Sequence, residues 1–334
     1  MISVIIVGFN SRKYMEDCLS SLLASTYKEF RAIFVDNNSS DDSIEYIKHN
    51  FPTVIVINSQ RNLGFAGGNN LGIEEAIRLK SDYIFLLNPD TVTDKKCLET
   101  LIGKANKNTV LQPLILLHEN NKKTNLINTT GNYLNFLGIS YCSNYRKPLT
   151  IAKEQDIPTA SGAAVLIPIE AIQRVGMFDE SFFMYHEDVD LFWRMRLAGF
   201  NIKLIPEAKI WHKYSFSRNK SKIYYSERNR IIFLLKNFST TYLIAIFPAM
   251  FINEIAILIF SIFNNTFFEK IKSYFFLIRA LKSILKKRRL NVSEGEDKII
   301  KKYIRGEIDF SEVKVPRFYS CLLDIYWKII RPVV

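Results

Sequence analysis

The sequence has few cysteines, and they form no cluster. The four are Cys18, Cys97, Cys142 and Cys321. They lie far apart, without the paired spacing of a zinc site or of a disulfide framework, so they exclude a small secreted scaffold stapled by disulfides. A reducing cytosol fits such a chain best.

A secretory leader pattern is also missing. Arg12 and Lys13 follow the apolar run Met1–Phe9 instead of preceding it, and no small-residue cleavage site lies nearby. We therefore expect no signal peptide and interpret Met1–Phe9 as the first strand of the fold.

Acidic residues are outnumbered, with 33 Asp and Glu against 45 Lys and Arg and a net charge of +12. Such an excess raises the question of a nucleic-acid partner. The basic residues concentrate late, at 218–222 and 282–289, beside membrane-seeking segments and without the interleaved aromatic residues of a stacking groove. We therefore expect no nucleic-acid partner.

The most apolar stretch, Tyr242–Phe263, lies between those two basic clusters. About 20 residues suffice to span a bilayer. A carboxylate near the centre, Glu254, would cost about 2.5–3.5 kcal/mol there, and Pro248 would kink the helix. We expect a helix or helical hairpin in the membrane interface; a true span and a buried core helix are the alternatives.

The following segment, Glu269–Arg289, has the pattern of a helix that rests on anionic lipid, because many lysines and arginines accompany one apolar face. A solvated surface helix is the alternative. The predicted apolar face consists of Ile271, Phe275, Ile278, Leu281, Ile284 and Leu285.

Short apolar runs alternate with segments of helical periodicity in the first 107 residues. The pattern predicts strands near 2–8, 30–35, 53–58 and 82–87, and helices near 12–25, 41–50, 68–80 and 94–106. Such alternation is typical of half of a doubly wound α/β sheet, whose ligand lies beyond the carboxyl ends of its strands. Residues 110–145 are less regular and predict short strands and loops. After them the pattern predicts strands at 163–168, 201–205 and 210–212 and helices at 169–175, stopped by Gly176, and at 187–199.

Polar clusters follow these strands. Asp90, in Asn88-Pro89-Asp90, is a carboxylate of the kind that holds Mg²⁺ or Mn²⁺ beside phosphates, or else a cap of the next helix. Asp36 is suited to a nucleotide base or ribose. The segment Gly64–Asn70 predicts a loop whose backbone could approach a pyrophosphate, or a plain turn.

Two later sites carry further candidates. Three acidic residues, Glu187, Asp188 and Asp190, start a predicted helix directly after aromatic residues, so Asp188 or Glu187 could act as a general base or merely complement the helix dipole. His212 ends a strand-like run and is a metal ligand or a structural histidine.

Together these residues resemble glycosyltransferase family 2, the inverting GT-A enzymes, and more narrowly its rhamnosyltransferase-like branch. The resemblance covers residues 1–235. The segments that carry it are Val4–Asn10, Val35–Ser39, Asn62–Asn69, Leu87–Asp90 and Tyr185–Leu191.

The resemblance implies a role for each candidate residue. Asp188 would be the catalytic base, and Asp90 with His212 would hold Mg²⁺ or Mn²⁺. Tyr185 and Glu187 would bind the acceptor. The nucleotide-sugar donor would contact Gly8, Asn10, Asp36, Asn38, Gly68, Asn69 and Asn88.

Two departures from the family pattern refine this reading. The usual Asp-x-Asp is Asn88-Pro89-Asp90 here, so metal ligation would rest chiefly on Asp90. After the acidic cluster the sequence has no Gln-x-x-Arg-Trp segment, which processive polymerases of the family carry, so we expect one sugar per encounter.

We therefore expect a GT-A domain at 1–235 and a helical, basic, membrane-associating tail at 236–334. Within the domain, 1–107 would bind nucleotide and 108–235 the acceptor. The expected reaction moves a sugar from dTDP-rhamnose or a UDP-hexose to a lipid-linked acceptor at the cytoplasmic face of the membrane. A non-catalytic nucleotide-binding scaffold is the alternative, and the sequence leaves the oligomeric state open.

Overall fold

The structure is a computed structural model that describes residues 1–214, 220–291, 296–308 and 316–334. The chain forms two compact units. The first comprises Met1–Asn132 and Cys142–Ser215, and the second comprises Tyr133–Tyr141 and Phe216–Val334. Of the basic cluster predicted at 218–222, residues 218 and 219 lie outside the described residues.

Strands and helices alternate through the first hundred residues, as the sequence predicts. In chain order these elements are β1 (Ile2–Gly8), α1 (Arg12–Leu23), β2 (Phe30–Asp36), α2 (Ser43–Asn50), β3 (Ile55–Asn58), α3 (Gly64–Arg78), β4 (Tyr83–Leu87), β5 (Thr91–Thr93) and α4 (Cys97–Gly103).

The rest of the chain begins with strands and ends with helices. In chain order its elements are β6 (Thr109–Glu119), β7 (Lys122–Thr129), β8 (Asn132–Asn135), β9 (Ser140–Cys142), β10 (Gln155–Asp156), β11 (Ala164–Pro168), α5 (Ile169–Val175), α6 (Glu187–Leu197), β12 (Asn201–His212), α7 (Lys220–Asn237), α8 (Thr240–Phe263), α9 (Phe267–Asn291), α10 (Glu296–Tyr303), β13 (Ile304–Arg305) and α11 (Arg317–Ile330).

A mixed sheet forms the centre of the first unit, in the order β10-β12-β6-β11-β4-β1-β2-β3. Strands β4, β1, β2 and β3 are parallel, whereas β11 is antiparallel to its neighbours β4 and β6. The predicted α/β class, a mixed sheet flanked by helices, is confirmed.

Two strands are longer than predicted. Residues 110–145 are not all short strands and loops, because β6 is an eleven-residue strand in the middle of the sheet. The predicted strands 201–205 and 210–212 are one strand, β12, in which a register shift between Ile205 and Lys209 lets pairing with β6 continue.

Alternate side chains of the central strands pack on opposite faces of the sheet, as the twofold period of a strand requires. Val4 and Ile6 join the core beneath α1, α2 and α4, whereas Ile5 joins the core beneath α3, α5 and α6. Both faces are therefore covered, and the ends of the strands are left for function.

The glycine-rich segment is a helix and not the predicted loop, because α3 begins at Gly64 instead of residue 68. The glycines let this helix approach β1 closely. A Cβ on Gly68 would lie 2.6 Å from Val7 Cγ1, and one on Gly72 would lie 2.4 Å from Ile5 Cγ2. Helix–sheet packing accounts for Gly68, one of the glycines that the sequence analysis assigned to a pyrophosphate loop, and for Gly72 one turn later.

The second unit contains helices α7–α11 and a small sheet in the order β13-β8-β9. The sequence reading ends the catalytic domain at residue 235, but α7 joins this unit because it packs extensively along α9. Phe136 and Trp327 stack with ring centroids 5.5 Å apart, and the hydroxyl of Tyr242 donates to the Phe136 carbonyl.

The carboxylate within the apolar stretch is neutralised inside this unit. Glu254 of α8 pairs with Arg230 of α7, and with Lys270 of α9 at 2.8 Å. Glu227 lies 2.6 Å from the same Lys270. Burial opposes the charge of Glu227, but Arg230 and Lys270 outweigh it and lower its pKa to about 2. The free-energy penalty that the sequence analysis predicted for burying the charge of Glu254 is therefore offset by its ion pairs with Arg230 and Lys270.

Candidate active site

Three parallel strands end at one edge of the sheet, where the sequence places its candidates. Gly8 of β1 lies opposite Asp36 of β2, and Asn88 follows β4 on the other side of β1. Because carboxyl ends of parallel strands share an edge, Asp36 and Asn88 lie along the same rim.

Asp36 is buried and only partly satisfied. One carboxylate oxygen, Oδ2, accepts from the Ser39 backbone N–H at 2.9 Å. The other, Oδ1, has no hydrogen-bond partner among the described residues. A buried carboxylate oxygen without a donor costs free energy, so this oxygen has an unused capacity to accept from a ligand N–H or O–H.

The loops after β1 and β2 are joined beside Asp36. The Asn10 N–H donates to Ser39 Oγ at 2.9 Å, and Asn10 Oδ1 accepts from the Ser40 N–H at 2.8 Å. Both Asn10 and Asn38 have positive φ, which asparagine tolerates better than most residues. Gly8 is buried, with no room for a Cβ beside Ser11 and Phe34.

Asn37 is a residue that sequence reasoning missed. Its side chain donates to the Gly64 carbonyl at 2.8 Å and accepts from the Leu63 N–H at 2.9 Å. It thereby fixes the start of α3 against the end of β2. Its position directly after Asp36 was the only sequence signal, since a second asparagine at a strand end is also common in turns.

Asp90 and His212 come together at the other side of the rim. Their atoms Oδ1 and Nε2 are 3.1 Å apart, because β12 pairs with β5 and places His212 opposite Thr91. Burial on its own would raise the pKa of Asp90. The adjacent His212 lowers it by more, so the pKa of Asp90 lies below its ordinary value. Asp90 does not cap α4, because that helix begins only at Cys97.

Asn128, which the sequence analysis also missed, lies beside the ring of His212 and, with its amide oxygen towards Nδ1, favours the tautomer protonated there. Its Oδ1 lies 3.0 Å from His212 Nδ1, so a proton on Nδ1 is donated to Asn128. In the neutral ring, Nε2 then carries a lone pair that faces the carboxylate of Asp90. Two lone pairs at this distance require a proton or a cation between them.

These two ligands fit an octahedral divalent cation. Ligands at about 2.1 Å and at right angles are separated by about 3.0 Å, close to the 3.1 Å between Asp90 Oδ1 and His212 Nε2. The described residues contain no group of three or more His, Cys, Asp or Glu around such a point. Phosphate oxygens of a substrate would therefore have to complete the coordination.

Asp188 is positioned next to the end of β4 by the backbone that precedes β11. Its Oδ2 accepts from the Gly162 N–H at 3.0 Å and from Asn132 Nδ2 at 3.3 Å. The next residue, Ala163, accepts from the Asn88 N–H at 2.8 Å. Two hydrogen bonds thus link Asp188 to Asn88 through Gly162 and Ala163. Asp188 therefore lies near the end of β4, although it is 100 residues further along the chain.

Glu187, which is buried, and Asp188, which is half-buried, form a pair of adjacent carboxylates. Burial raises the pKa of both groups, and the neighbouring charge of Asp188 raises that of Glu187 further. Asp188 accepts three N–H groups, which favour its ionised form, whereas Glu187 Oε2 has no partner among the described residues. These contacts favour a negative charge on Asp188 over one on Glu187.

A strained turn leads into this pair. Phe183, Tyr185 and His186 have φ angles of 65°, 66° and 68°, each costing on the order of 1 kcal/mol for a residue other than glycine. The turn is held from α3, since the Ala66 N–H donates to the Phe183 carbonyl at 3.1 Å. A Cβ on Gly64 would lie 2.3 Å from that carbonyl oxygen, so glycine is required there.

Gly68 and Asn69 lie deeper than the sequence reading placed them. Both are buried, and Asn69 Nδ2 donates to the Phe65 carbonyl one turn earlier in α3. Packing explains both residues, and their contact with a donor stays a prediction. Asn38, by contrast, is exposed at the rim.

A mixed sheet that presents Asp36, Asp90 and Asp188 around one rim has the architecture of a GT-A sugar transferase. The model of "Glycosyl transferase family 2" matches residues 3–178, which is more than half of the chain. The chain belongs to this family, and it is a glycosyltransferase.

Several relatives have named functions in glycan assembly. The low-salt glycan biosynthesis hexosyltransferase Agl10 of Haloferax volcanii is 26% identical over 69% of this chain and 74% of its own length. The N-acetylglucosaminyl-diphospho-decaprenol L-rhamnosyltransferase of Mycobacterium tuberculosis is 25% identical over 66% of this chain and 78% of its own.

Solved structures share the fold. A crystal structure of GalNAc-T7 with UDP, GalNAc and Mn²⁺ gives a TM-score of 0.60 at 17% identity, over 72% of this chain and 48% of that one. Staphylococcus aureus TarS gives 0.51 at 17% identity, over 75% and 42%. This chain thus spans less than half the length of either solved chain.

Proposed function

We propose that the protein is an inverting glycosyltransferase that moves one sugar from a nucleotide-sugar to a hydroxyl of a lipid-linked glycan acceptor during surface polysaccharide assembly. The observation that carries the proposal is the position of Asp188, which lies two hydrogen bonds from Asn88 at the strand end that leads to Asp90. A base and a donor site then share one rim.

Asp188 would act as the general base. Its carboxylate is held in one orientation by the N–H groups of Gly162 and Val189. An ionised carboxylate whose pKa is raised by burial accepts a proton more readily than an exposed aspartate does. It would deprotonate the acceptor hydroxyl, whose oxygen attacks the anomeric carbon from the face opposite the diphosphate and inverts its configuration.

Other residues of the rim would hold the two substrates. The unpartnered Oδ1 of Asp36 would accept from the pyrimidine base, with Asn10 and Asn38 ordering the loops beside it. Tyr185 and Glu187, at the strained turn, would contact the acceptor. Gly8 and Asn88 would define the floor of the donor site.

Asp90 and His212 would hold Mg²⁺ or Mn²⁺, with Asn128 orienting the imidazole. When bound, the cation would neutralise charge that grows on the diphosphate leaving group. Because Asn88 replaces the first carboxylate of the usual Asp-x-Asp, His212 would be needed as the second protein ligand beside Asp90.

The acceptor class is supported by the relatives and by the second unit. The mycobacterial relative is named for a lipid-linked acceptor, a decaprenol diphosphate. Helix α8 is long and apolar enough to cross or to enter a membrane, and only 11% of its most apolar window is buried within the protein, which argues against a core helix. A location at the cytoplasmic membrane surface would bring the enzyme to such an acceptor.

The donor is proposed at the level of dTDP-rhamnose or a UDP-hexose. The two curated relatives are a rhamnosyltransferase and a hexosyltransferase by name, so both classes belong in the test. A non-catalytic scaffold is set aside, because the chain is a glycosyltransferase by family and has Asp90 and Asp188 in place.

The test is a donor screen with the full chain, a prenyl-diphosphate saccharide and either Mn²⁺ or EDTA. We expect product from one nucleotide-sugar, with inverted anomeric configuration. Asp188→Asn should lower kcat by about 10²–10⁴-fold, because it removes the general base, while calorimetry still detects donor binding. Glu170→Gln, at a partly exposed carboxylate of α5, is the matched control.

Two outcomes would contradict the proposal. Near wild-type turnover by a folded Asp188→Asn protein would remove Asp188 from the base role. Failure of every nucleotide-sugar to be transferred or hydrolysed would contradict glycosyl transfer from these donors.

A further inference from the structure

Helix α8 has its polarity reversed relative to a helix in water. From Ile244 onward its polar side chains point into the second unit: Asn253 and Ser261 are buried, and Glu254 is ion-paired. Every exposed residue from Ile244 to Phe263 is apolar. A water-facing helix shows the opposite arrangement, so this outer face is suited to hydrocarbon.

Helix α11 extends the same apolar surface. It lies antiparallel to α8, since the Tyr319 hydroxyl donates to Asn253 Oδ1 at 2.6 Å and the Tyr326 hydroxyl donates to the Ala245 carbonyl at 2.7 Å. Leu323 and Trp327 are buried on its inner side. The exposed stripe has i, i+4, i+7, i+11 spacing and consists of Phe318, Leu322, Ile325 and Ile329.

Basic residues border this surface. Among the side chains of α9 that the structure describes, the exposed charged ones are Lys272, Arg279, Lys282 and Lys286. In α8 no residue from Ile244 to Phe263 is charged except the paired Glu254, and Asp324 of α11 is paired with Lys328. A basic border around an apolar face complements anionic lipid headgroups.

The charges of the neighbouring helix favour an orientation along the membrane over one that crosses it. Helices α8 and α9 form an antiparallel hairpin, because Lys270 and Tyr274 of α9 both contact Glu254 of α8. If α8 crossed the bilayer, α9 would cross beside it with its four exposed cations, each costing about 2.5–3.5 kcal/mol near the centre of the hydrocarbon. With both helices in the interface, these cations reach the headgroups.

We propose that the outer faces of α8 and α11 form one lipid-inserted surface, here called the docking face, which holds the second unit on an anionic phospholipid bilayer. Phe275, Ile278, Leu281 and Leu285 of α9 extend it, whereas Ile284 of the predicted apolar face is buried within the unit. The inference rests on the proposed lipid-linked acceptor and adds a helix, α11, that the sequence reading did not single out.

The test is vesicle co-sedimentation of the full chain, with phosphatidylcholine vesicles that do or do not contain one quarter phosphatidylglycerol. We expect at least tenfold tighter binding to the anionic vesicles. Phe318→Asp with Ile329→Asp in α11, and separately Phe251→Asp with Ile259→Asp in α8, should each weaken that binding at least tenfold.

The matched control places the same change on exposed isoleucines of the first unit, Ile77→Asp with Ile151→Asp, and should bind vesicles like the wild type. Circular dichroism checks that each variant is folded. Transfer to a short water-soluble acceptor should be unchanged in all three.

Wild-type vesicle binding by the folded α11 variant would overturn the docking face. So would a dimer in lipid-free buffer that this variant abolishes while vesicle binding persists, because a second copy of the chain would then cover the face. Vesicle binding that follows the expected pattern in a protein that transfers no sugar would support the docking face and contradict the proposed function.

Discussion

At the scale of single residues, the site depends on which of two adjacent carboxylates is ionised. Asp188 accepts three N–H groups, whereas Glu187 Oε2 lacks a partner among the described residues. Burial therefore penalises Glu187 more, and the pair can supply one base without accumulating two adjacent charges. This division of roles is not visible in the sequence, where both residues simply begin a helix.

The raised pKa of Glu187 predicts a pH-dependent effect on stability. In the unfolded chain a glutamate ionises near pH 4.3, but the buried carboxyl resists ionisation, so the wild type loses stability as pH rises above that value toward the folded pKa. Glu187→Gln avoids this loss. We expect its unfolding midpoint in urea to exceed that of the wild type by an amount that grows as the pH rises above about 4.3.

Glu45→Gln, at an exposed position of α2, is the control for that series. A difference between Glu187→Gln and wild type that stayed constant from acid to neutral pH would contradict the raised pKa of Glu187.

The orientation of His212 predicts an effect of Asn128 on metal affinity. Asn128→Leu removes the acceptor on Nδ1 at similar volume, so the ring is free to place a proton on Nε2, the atom that faces Asp90. Loss of such a supporting contact typically weakens metal binding about 10–100-fold. Calorimetric titration of Mn²⁺ in the presence of UDP or dTDP measures this, and unchanged affinity would contradict the assigned metal pair.

At the scale of elements, the predicted bounds of strands and helices were most accurate where the hydrophobic period ends at a glycine, a proline or another turn residue. Helix α5 occupies the predicted residues 169–175 and ends at Gly176, which has a φ of 80°. The central strands β1, β2 and β4 also match their predicted bounds closely. A short run of branched apolar residues is typical of a strand in a sheet that is covered on both faces.

Helix α3 was misread for a physical reason. Glycine is a poor helix former, so a segment with three glycines in five residues indicates a loop by propensity alone. Contact with β1 overrides propensity, because the small residues permit an approach that a Cβ would prevent. Asn37, Asn128 and Asn132 were missed for a related reason: each acts through a partner 25 to 84 residues away, which no local pattern encodes.

The close approach of α3 to β1 predicts that Gly72→Ala destabilises the fold. Overpacking typically costs about 1–3 kcal/mol, and the better helix propensity of alanine returns about 1 kcal/mol. The difference is a net loss of about 0–2 kcal/mol in the free energy of unfolding by urea. Because a Cβ on Gly72 would lie only 2.4 Å from Ile5 Cγ2, we expect Gly72→Ala in the upper part of that range.

Gly103→Ala is the matched control, since a Cβ at the end of α4 meets nothing within 4 Å. A Gly72→Ala protein as stable as the control would contradict the packing explanation of the glycines.

At the scale of the whole molecule, the two units differ in what the sequence could predict about them. The first unit brings Asp90 within 3.1 Å of His212, 122 residues away in the chain, and links Asp188 to Asn88 through Gly162 and Ala163. The convergence of Asp36, Asp90 and Asp188 on one site was the essential prediction from the sequence, and it stays a prediction. The second unit was predicted as a helical tail, and its helices agree. Its buried ion pairs around Glu254 and the apolar stripe of α11 could not be foreseen, because they depend on which faces pack together.

The central claim, that Asp36, Asp90 and Asp188 serve one site, is tested most directly by a crystal structure of the full chain with UDP or dTDP and Mn²⁺. The account predicts the pyrimidine base beside Asp36 Oδ1, the cation between Asp90 and His212, and Asp188 facing open space next to the terminal phosphate. A nucleotide bound away from Asp36 and Asp90, or Asp188 turned from the phosphate, would contradict it.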